Sequence, residues 1–149
     1  MPMPVEAGTA STQNADDVLG RSRHADTIRK LSLFAGINRD EANAIAKVGH
    51  EESFPAEREL TREGVAGDDF YVLLEGEVEV IRDGAPFATM SAGDFFGEIA
   101  LLGHSTRTAT VRTTGPVRAF VIPGRGFRAL LGREPSVQLR VLDALAERL

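Results

Sequence analysis

The most informative segment of this 149-residue chain reads Gly93-Asp-Phe-Phe-Gly-Glu-Ile-Ala-Leu-Leu-Gly-His-Ser-Thr-Arg-Thr-Ala-Thr-Val111. It lies between two β-like runs, yet Glu98 to Leu102 consists of good helix formers, and packing alone rarely places a short helix inside a β domain. A helix that begins at Gly97 leaves its first backbone N–H groups without intrahelical partners. Because a helix N-terminus carries partial positive charge, these groups suit a phosphate. They belong to Gly97, Glu98, Ile99 and Ala100.

Two charged side chains of this segment suggest a ligand. Arg107 follows Glu98 by nine residues, with no carboxylate between them. An arginine can meet a phosphate with two parallel hydrogen bonds, whereas a carboxylate only accepts hydrogen bonds and therefore suits a hydroxyl. The pattern fits a phosphorylated sugar with a free hydroxyl. The alternative is that Glu98 and Arg107 pair with each other across a loop, and the spacing alone leaves both readings open.

The residues after Gly49 predict a β-rich core, because the hydrophobic period changes there from about 3.6 to 2. The clearest strand runs from Phe70 to Ile81, and Asp83-Gly84 then predicts a tight turn into a hairpin. Two further strands are predicted at residues 108–113 and 117–122. Many short strands at this spacing indicate a sandwich or a closed barrel.

Helical patterns precede and follow the β core. A helix near residues 26–34 comes before one that begins with a capping box of Asn38 and Glu41. Two more helices are predicted after Pro123, and residues 1–25, which show no periodicity, predict a disordered leader. The last helix carries an apolar stripe of Val137, Val141, Leu145 and Leu149.

Composition argues against several classes of function. The net charge is −5, and residues 51–116 hold thirteen acids against five arginines, a balance that makes a general nucleic-acid binder improbable. No apolar run approaches membrane-spanning length, the N-terminus lacks the features of a secretory signal, and cysteine is absent. The expectation is a cytoplasmic protein without membrane or nucleic-acid partners.

The sequence offers no pattern for a metal site or for catalysis. His24, His50 and His104 are far apart and lack the spacing of metal ligands. No serine, cysteine or threonine lies in a recognisable nucleophile motif. We therefore expect no metal, no cofactor and no enzymatic activity.

Four stretches, in order along the chain, resemble the cyclic-nucleotide-binding domain family. They are Leu33-Phe-Ala-Gly-Ile37, then Glu63-Gly64 with Gly67-Asp-Asp-Phe-Tyr-Val72, then Leu74-Glu-Gly-Glu-Val78, and finally 93–102 with Arg107-Thr-Ala-Thr-Val111, which is similar to the family's phosphate-binding cassette. The resemblance implies a small double-stranded β-helix (jelly-roll) barrel at about 50–123 with N-terminal helices and C-terminal lid helices at about 124–149. The binding domain would then span 26–149.

The resemblance also implies a role for each site residue. Glu98 would hold the ribose 2′-hydroxyl and Arg107 the cyclic phosphate, with the backbone of Gly97, Ile99 and Ala100 around it. The amide or hydroxyl groups at Thr108 and Ala109 would complete the cradle. The base would need an apolar cover, for which the candidate lid residues are Val141, Leu145 and Leu149.

Two positions depart from the usual family pattern. Thr106 stands where relatives often have proline, a change that loosens the loop. Thr108 stands where many cAMP-binding relatives have serine or alanine, and threonine there is linked with cGMP in some relatives.

The implied function is a non-catalytic cyclic-nucleotide sensor or regulatory module, with cAMP slightly ahead of cGMP as its ligand. An effector protein or a second copy of the chain is the candidate partner. The alternatives are a degenerate domain used as a scaffold or for dimerisation, and a fragment of a larger regulator.

Overall fold

The computed structural model of the chain describes residues 24–31, 34, 36–98 and 106–148. Residues 1–23 of the predicted leader lie outside these ranges. His24 and Ala25, which were predicted to belong to the leader, are helical, and Ala25 is completely buried in the core.

Two helices precede the strands. Residues 24–30 form α1, and α2 spans Arg39–Val48. The predicted capping box at the start of α2 is confirmed: the Glu41 backbone N–H donates to Asn38 Oδ1 at 2.8 Å, and the Asn38 N–H donates to Glu41 Oε1 at 2.9 Å. Each contact satisfies a backbone donor that the helix itself leaves without a partner.

Eight strands form two antiparallel sheets. They are β1 (His50–Phe54), β2 (Glu59–Thr61), β3 (Phe70–Glu75), β4 (Val78–Arg82), β5 (Ala85–Met90), β6 (Phe95–Phe96), β7 (Thr110–Thr113) and β8 (Val117–Ile122). The first sheet has the order β1-β8-β3-β6 and the second has the order β2-β7-β4-β5. The mainly β class with flanking helices is therefore confirmed, while closure into a jelly-roll barrel stays a prediction.

The prediction of one strand over residues 70–81 is wrong, because the chain turns at Gly76. β3 belongs to the first sheet and β4 to the second, so residues 76–77 carry the chain from one sheet to the other. Gly76 has φ +94°, and a Cβ there would lie 2.4 Å from the carbonyl oxygen of Pro116. Only glycine combines that backbone conformation with that close approach.

The predicted hairpin is confirmed between β4 and β5. Asp83 and Gly84 form its turn with φ values of 51° and 76°, the left-handed conformations that suit an Asp-Gly pair. All of β5 except Met90 is exposed, and Phe87 leaves 60% of its surface in solvent.

Two hydrophobic clusters hold these elements together. One lies between the two sheets and includes Tyr71, Phe96 and Val111. The other joins the helices to the opposite face of the first sheet, where Phe34 contacts the rings of Phe70 and Phe127. Burial of large apolar side chains in two layers is the dominant stabilising contribution to such a domain.

Two helices follow the strands. α3 spans Gly124–Arg133 and α4 spans Pro135–Arg148. Val137 and Val141, on the predicted apolar stripe of α4, are buried in the helix-side cluster. Within the described residues, no helix has both the length and the apolar character needed to cross a membrane.

Candidate functional site

A cavity of about 240 Å³ lies between the β4–β5 hairpin and the segment that precedes β7. Five of the predicted site residues line it, although they come from two separate parts of the chain. They are Gly97, Glu98, Arg107, Thr108 and Ala109. Ile99 and Ala100, the other two, lie outside the described residues, as does the short helix predicted to follow Glu98.

The backbone of Arg107 is fixed by a short ladder with the segment after β2. The Arg107 N–H donates to the carbonyl of Val65 at 2.9 Å, and the Gly64 N–H donates to the carbonyl of Arg107 at 2.8 Å. One step further along, the Thr61 hydroxyl donates to the carbonyl of Ala109 at 2.9 Å. Because these bonds continue the β2–β7 pairing, the backbone that carries Arg107 is held much as in a β-strand.

The guanidinium of Arg107 is held in place by backbone atoms. Its Nη2 donates to the carbonyl oxygen of Asp69 at 2.8 Å. A Cβ on Gly67 would lie 2.7 Å from Arg107 Nε, and a Cβ on Gly97 would lie 3.1 Å from Nη1. The side chain is half-buried. A cation fixed in this way is preorganised, so little further ordering is needed when it meets an anion.

The backbone conformation and the surroundings of Gly97 both favour glycine at this position. Its φ is +89°, and a Cβ there would lie 2.6 Å from the carbonyl oxygen of Asp69, the oxygen that accepts from Arg107. The position therefore requires both a left-handed backbone and an empty side. β6 anchors it, because Phe95 and Phe96 are buried immediately before it and Phe96 stacks on Tyr71 with ring centroids 4.7 Å apart.

Positive charge predominates among the described residues that line the cavity. Arg82 and Arg107 face a single carboxylate, that of Glu98, although the whole chain has a net charge of −5. Beside this site, burial raises the pKa of Asp69 above its ordinary value, as does the neighbouring charge of Asp68, while Arg107 opposes the rise. A local excess of positive charge in an acidic protein favours a singly charged anion.

Residues 67–69 connect Arg107 to the C-terminal helices. The carbonyl of Asp69 accepts from Arg107, and the carboxylate of the adjacent Asp68 lies 3.2 Å from Arg128 Nη2 on α3. The backbone of Asp68 also packs closely on α3, because a Cβ on Gly124 would lie 2.3 Å from its carbonyl oxygen. Two adjacent residues, Asp68 and Asp69, thus contact both α3 and Arg107.

The candidate lid residues are not brought to the cavity within the described part of the chain. Val141 is buried among the helices and is absent from the cavity lining. The side chain of Leu145 and the whole of Leu149 lie outside what the structure describes. Nor does any group of three or more histidines, aspartates or glutamates in the described ranges come together as a metal site.

Sequence reasoning missed the wall that the β4–β5 hairpin contributes. Arg82 and Phe87 line the cavity with Met90, and the Arg82 guanidinium lies 4.4 Å from the centroid of the Phe87 ring. The signal was present in the predicted hairpin, because Phe87 is the one aromatic residue of β5. What the sequence lacked was the position of that strand relative to Arg107.

The two-sheet fold and its arginine-containing cavity define a β domain suited to a small anionic ligand. Comparison with protein families matches residues 51–134 to the cyclic nucleotide-binding domain. The chain belongs to this family, as the sequence resemblance implied.

Two curated relatives illustrate the match. The cGMP-dependent protein kinase egl-4 of Caenorhabditis briggsae is 32% identical over 124 residues, covering 76% of this chain and 17% of that protein. A cAMP-dependent protein kinase regulatory subunit of Emericella nidulans is 33% identical over 115 residues, covering 76% and 28% respectively. The chain thus spans less than a third of the length of these relatives.

Solved structures share the fold. The N-terminal domain of a transcriptional regulator from Streptomyces coelicolor superposes with a TM-score of 0.73 at 24% identity, over 82% of this chain and 89% of that one. The regulatory domain of Toxoplasma gondii PKA, solved with cAMP, gives a TM-score of 0.71 at 26% identity, over 85% and 50%. The first of these likenesses is evidence for the fold alone.

Proposed function

We propose that this chain binds a 3′,5′-cyclic purine nucleotide in the cavity and serves as a non-catalytic regulatory module. The observation that carries the proposal is that Glu98 and Arg107 line one cavity together with Gly97, although the two charged residues lie nine positions apart in the sequence. Membership of the cyclic nucleotide-binding domain family supports the same ligand class.

In this proposal Arg107 binds the cyclic phosphate. Its guanidinium is oriented by the carbonyl of Asp69, and it retains further N–H donors for two phosphate oxygens. Glu98 accepts a hydrogen bond from the ribose 2′-hydroxyl. Backbone amides of Gly97, Ile99 and Ala100, with donors at Thr108 and Ala109, complete the phosphate cradle. The excess of positive charge matches a cyclic phosphate, which carries one negative charge.

The regulatory role rests on what the relatives are. One is a protein kinase regulatory subunit and another is a cGMP-dependent protein kinase. In each of them, the region similar to this chain is one part of a longer protein. We propose an effector protein or a second copy of the chain as the partner here, with α4 as the element that responds to ligand. The contacts from Arg107 through residues 67–69 to α3 supply a route.

The identity of the base is the finer question. The sequence favoured cAMP slightly over cGMP, and that ranking stays a prediction. Thr108 is exposed in the cavity lining, where its hydroxyl is available to a phosphate or to the amino group of guanine.

Calorimetric titration of the purified chain with cAMP, cGMP and 5′-AMP tests the proposal. Cyclic nucleotides should bind more tightly than 5′-AMP, because a linear monophosphate carries more charge and needs more room. Loss of one partner from a buried charge pair costs about 2–5 kcal/mol, so Arg107→Ala should weaken binding by at least about 30-fold. Arg107→Lys keeps the charge and loses the paired N–H donors of the guanidinium, so its affinity should lie between that of Arg107→Ala and that of the native chain.

The control is Arg112→Ala, because Arg112 is an exposed arginine on β7 outside the cavity lining. It should leave affinity unchanged. Equal affinity for cyclic and linear nucleotides would contradict the proposal, and absence of binding would favour the scaffold alternative. Should Arg107→Ala unfold the protein while its folded fraction keeps full affinity, Arg107 is a structural residue that supports Asp69.

A further inference from the structure

Arg82 and Phe87 contribute a cation and an aromatic ring to the lining of the cavity. They lie diagonally across the β4–β5 hairpin, where Arg82 pairs with Ala85 in the register, and the guanidinium sits 4.4 Å from the ring centroid. A cation over an aromatic ring is ordinarily a modest stabilising contact of a hairpin. Here, however, both side chains also line the cavity that holds Glu98 and Arg107.

The exposure of Phe87 makes a purely structural role a poor account of the pair. The ring leaves 60% of its surface in solvent, the second highest exposure among the large apolar residues described. The ring belongs to neither hydrophobic cluster, and within its hairpin it is contacted by the Arg82 guanidinium, so burial of the ring contributes little to folding. The same ring offers a stacking surface to a planar ligand in the cavity beside it.

The chemistry of Arg82 selects among planar bases. A guanidinium carries donors only, and it meets the O6 and N7 acceptors of guanine with two hydrogen bonds. Adenine presents one acceptor at N7 beside the donor amino group at N6, so the second donor of the arginine finds no partner. If a purine stacks on Phe87, Arg82 therefore distinguishes an oxo group from an amino group at position 6 of the base.

We infer that Arg82, supported by Phe87, reads the base of the nucleotide and favours a 6-oxopurine, so that cGMP binds more tightly than cAMP. This inference rests on the proposed function and reverses the ranking that the sequence favoured. It assigns the base preference to the hairpin, whereas the sequence pattern pointed only to Thr108.

Inosine 3′,5′-cyclic phosphate separates the two sources of preference. Its base has the O6 and N7 acceptors of guanine and lacks the 2-amino group that Thr108 would contact. Calorimetry should therefore rank cGMP and the inosine nucleotide together, above cAMP. Because Arg82 is exposed and partly screened by water, the expected preference is at the lower end of the usual range for a bidentate contact, about 5- to 10-fold.

Variants of the pair complete the test. Arg82→Ala should abolish the preference by weakening the two 6-oxopurine nucleotides and leaving cAMP nearly unchanged. Phe87→Leu should weaken all three nucleotides by a similar factor, because stacking does not depend on the base. The matched control is Arg112→Ala, which removes the same charge from the same sheet outside the cavity and should change neither affinity nor ranking.

The outcomes distinguish this inference from the function on which it rests. If none of the three nucleotides binds, the proposed function fails and the inference with it. Binding of all three with equal affinity, or an Arg82→Ala variant that keeps the native ranking, overturns the inference alone. A ranking in which cGMP stands above an equal pair of cAMP and the inosine nucleotide also overturns it, because the 2-amino group would then be the feature recognised.

Discussion

The replacement Gly97→Ala tests whether the cavity depends on the close approach of two backbone segments, at Gly97 and Asp69, and the side chain of Arg107. A Cβ at this position would lie 2.6 Å from the carbonyl oxygen of Asp69 and 3.1 Å from Arg107 Nη1. Ordinary contacts of this kind are longer, so Asp69 or the glycine has to move. The oxygen that would move is the one that orients the guanidinium of Arg107.

Gly93→Ala is a matched control. Gly93 has φ +96°, close to the +89° of Gly97, but a Cβ on Gly93 has no neighbouring atom within 4 Å. A left-handed backbone costs an alanine about 1–2 kcal/mol, and both variants incur that cost. Forcing an atom into an occupied space costs about 1–3 kcal/mol more, and only Gly97→Ala incurs this second cost.

Urea denaturation of the ligand-free chain and calorimetry with a cyclic nucleotide are the measurements. Gly97→Ala should lower the free energy of unfolding by about 1–3 kcal/mol more than Gly93→Ala does. It should also weaken nucleotide binding, whereas Gly93→Ala should leave the affinity of the folded protein unchanged. The reasoning is refuted if the two variants are equally stable and bind equally well, because the contact with Asp69 would then have no consequence.

Three further predictions concern the ligand hydroxyl, the C-terminal helix and an interhelical carboxylate. Glu98→Ala should weaken cyclic-nucleotide binding by about 10- to 150-fold through loss of a charge-assisted hydrogen bond. If calorimetric titration finds the affinity unchanged, Glu98 does not contact a ligand hydroxyl. Amide hydrogen exchange across residues 136–149 should slow on saturation with nucleotide if α4 acts as a lid, and unchanged exchange there would defeat the switch while sparing the binding claim. The pKa of Glu41 is lowered by its hydrogen bond from the Ser136 hydroxyl and by the Asn38 N–H. The contribution of the Glu41 carboxylate to stability should therefore be complete above the ordinary glutamate pKa of about 4.3 and be lost as the pH falls through the lower pKa of the folded state. Glu41→Gln should be less stable than the native chain near pH 7, and the difference in stability should shrink in acid.

Features that depend on a few neighbouring residues were predictable from the sequence. The capping box of Asn38 and Glu41 and the turn at Asp83-Gly84 both form as predicted, because each is determined by local backbone preferences and short-range hydrogen bonds. The predicted strand at residues 117–122 coincides with β8. The cavity residues Glu98 and Arg107 were also found from sequence, because their chemical types and their place in a family pattern are visible there.

Features that depend on residues far apart in the chain were not predictable. The alternating pattern of residues 70–81 continues through Gly76, whereas the contact that leaves no room for a side chain there comes from Pro116, in the connection between β7 and β8. Arg107 is oriented by a carbonyl 38 residues earlier, and a backbone oxygen leaves no mark in the sequence because every residue has one. The same reason applies to Arg82 and Phe87, whose side chains were visible but whose place beside Arg107 follows from the pairing of β4 with β7. The sequence by itself determined the candidate residues, Glu98 and Arg107 among them, and the packing of the two sheets decided which residues meet in one cavity, because that meeting depends on contacts between strands that are distant in the chain.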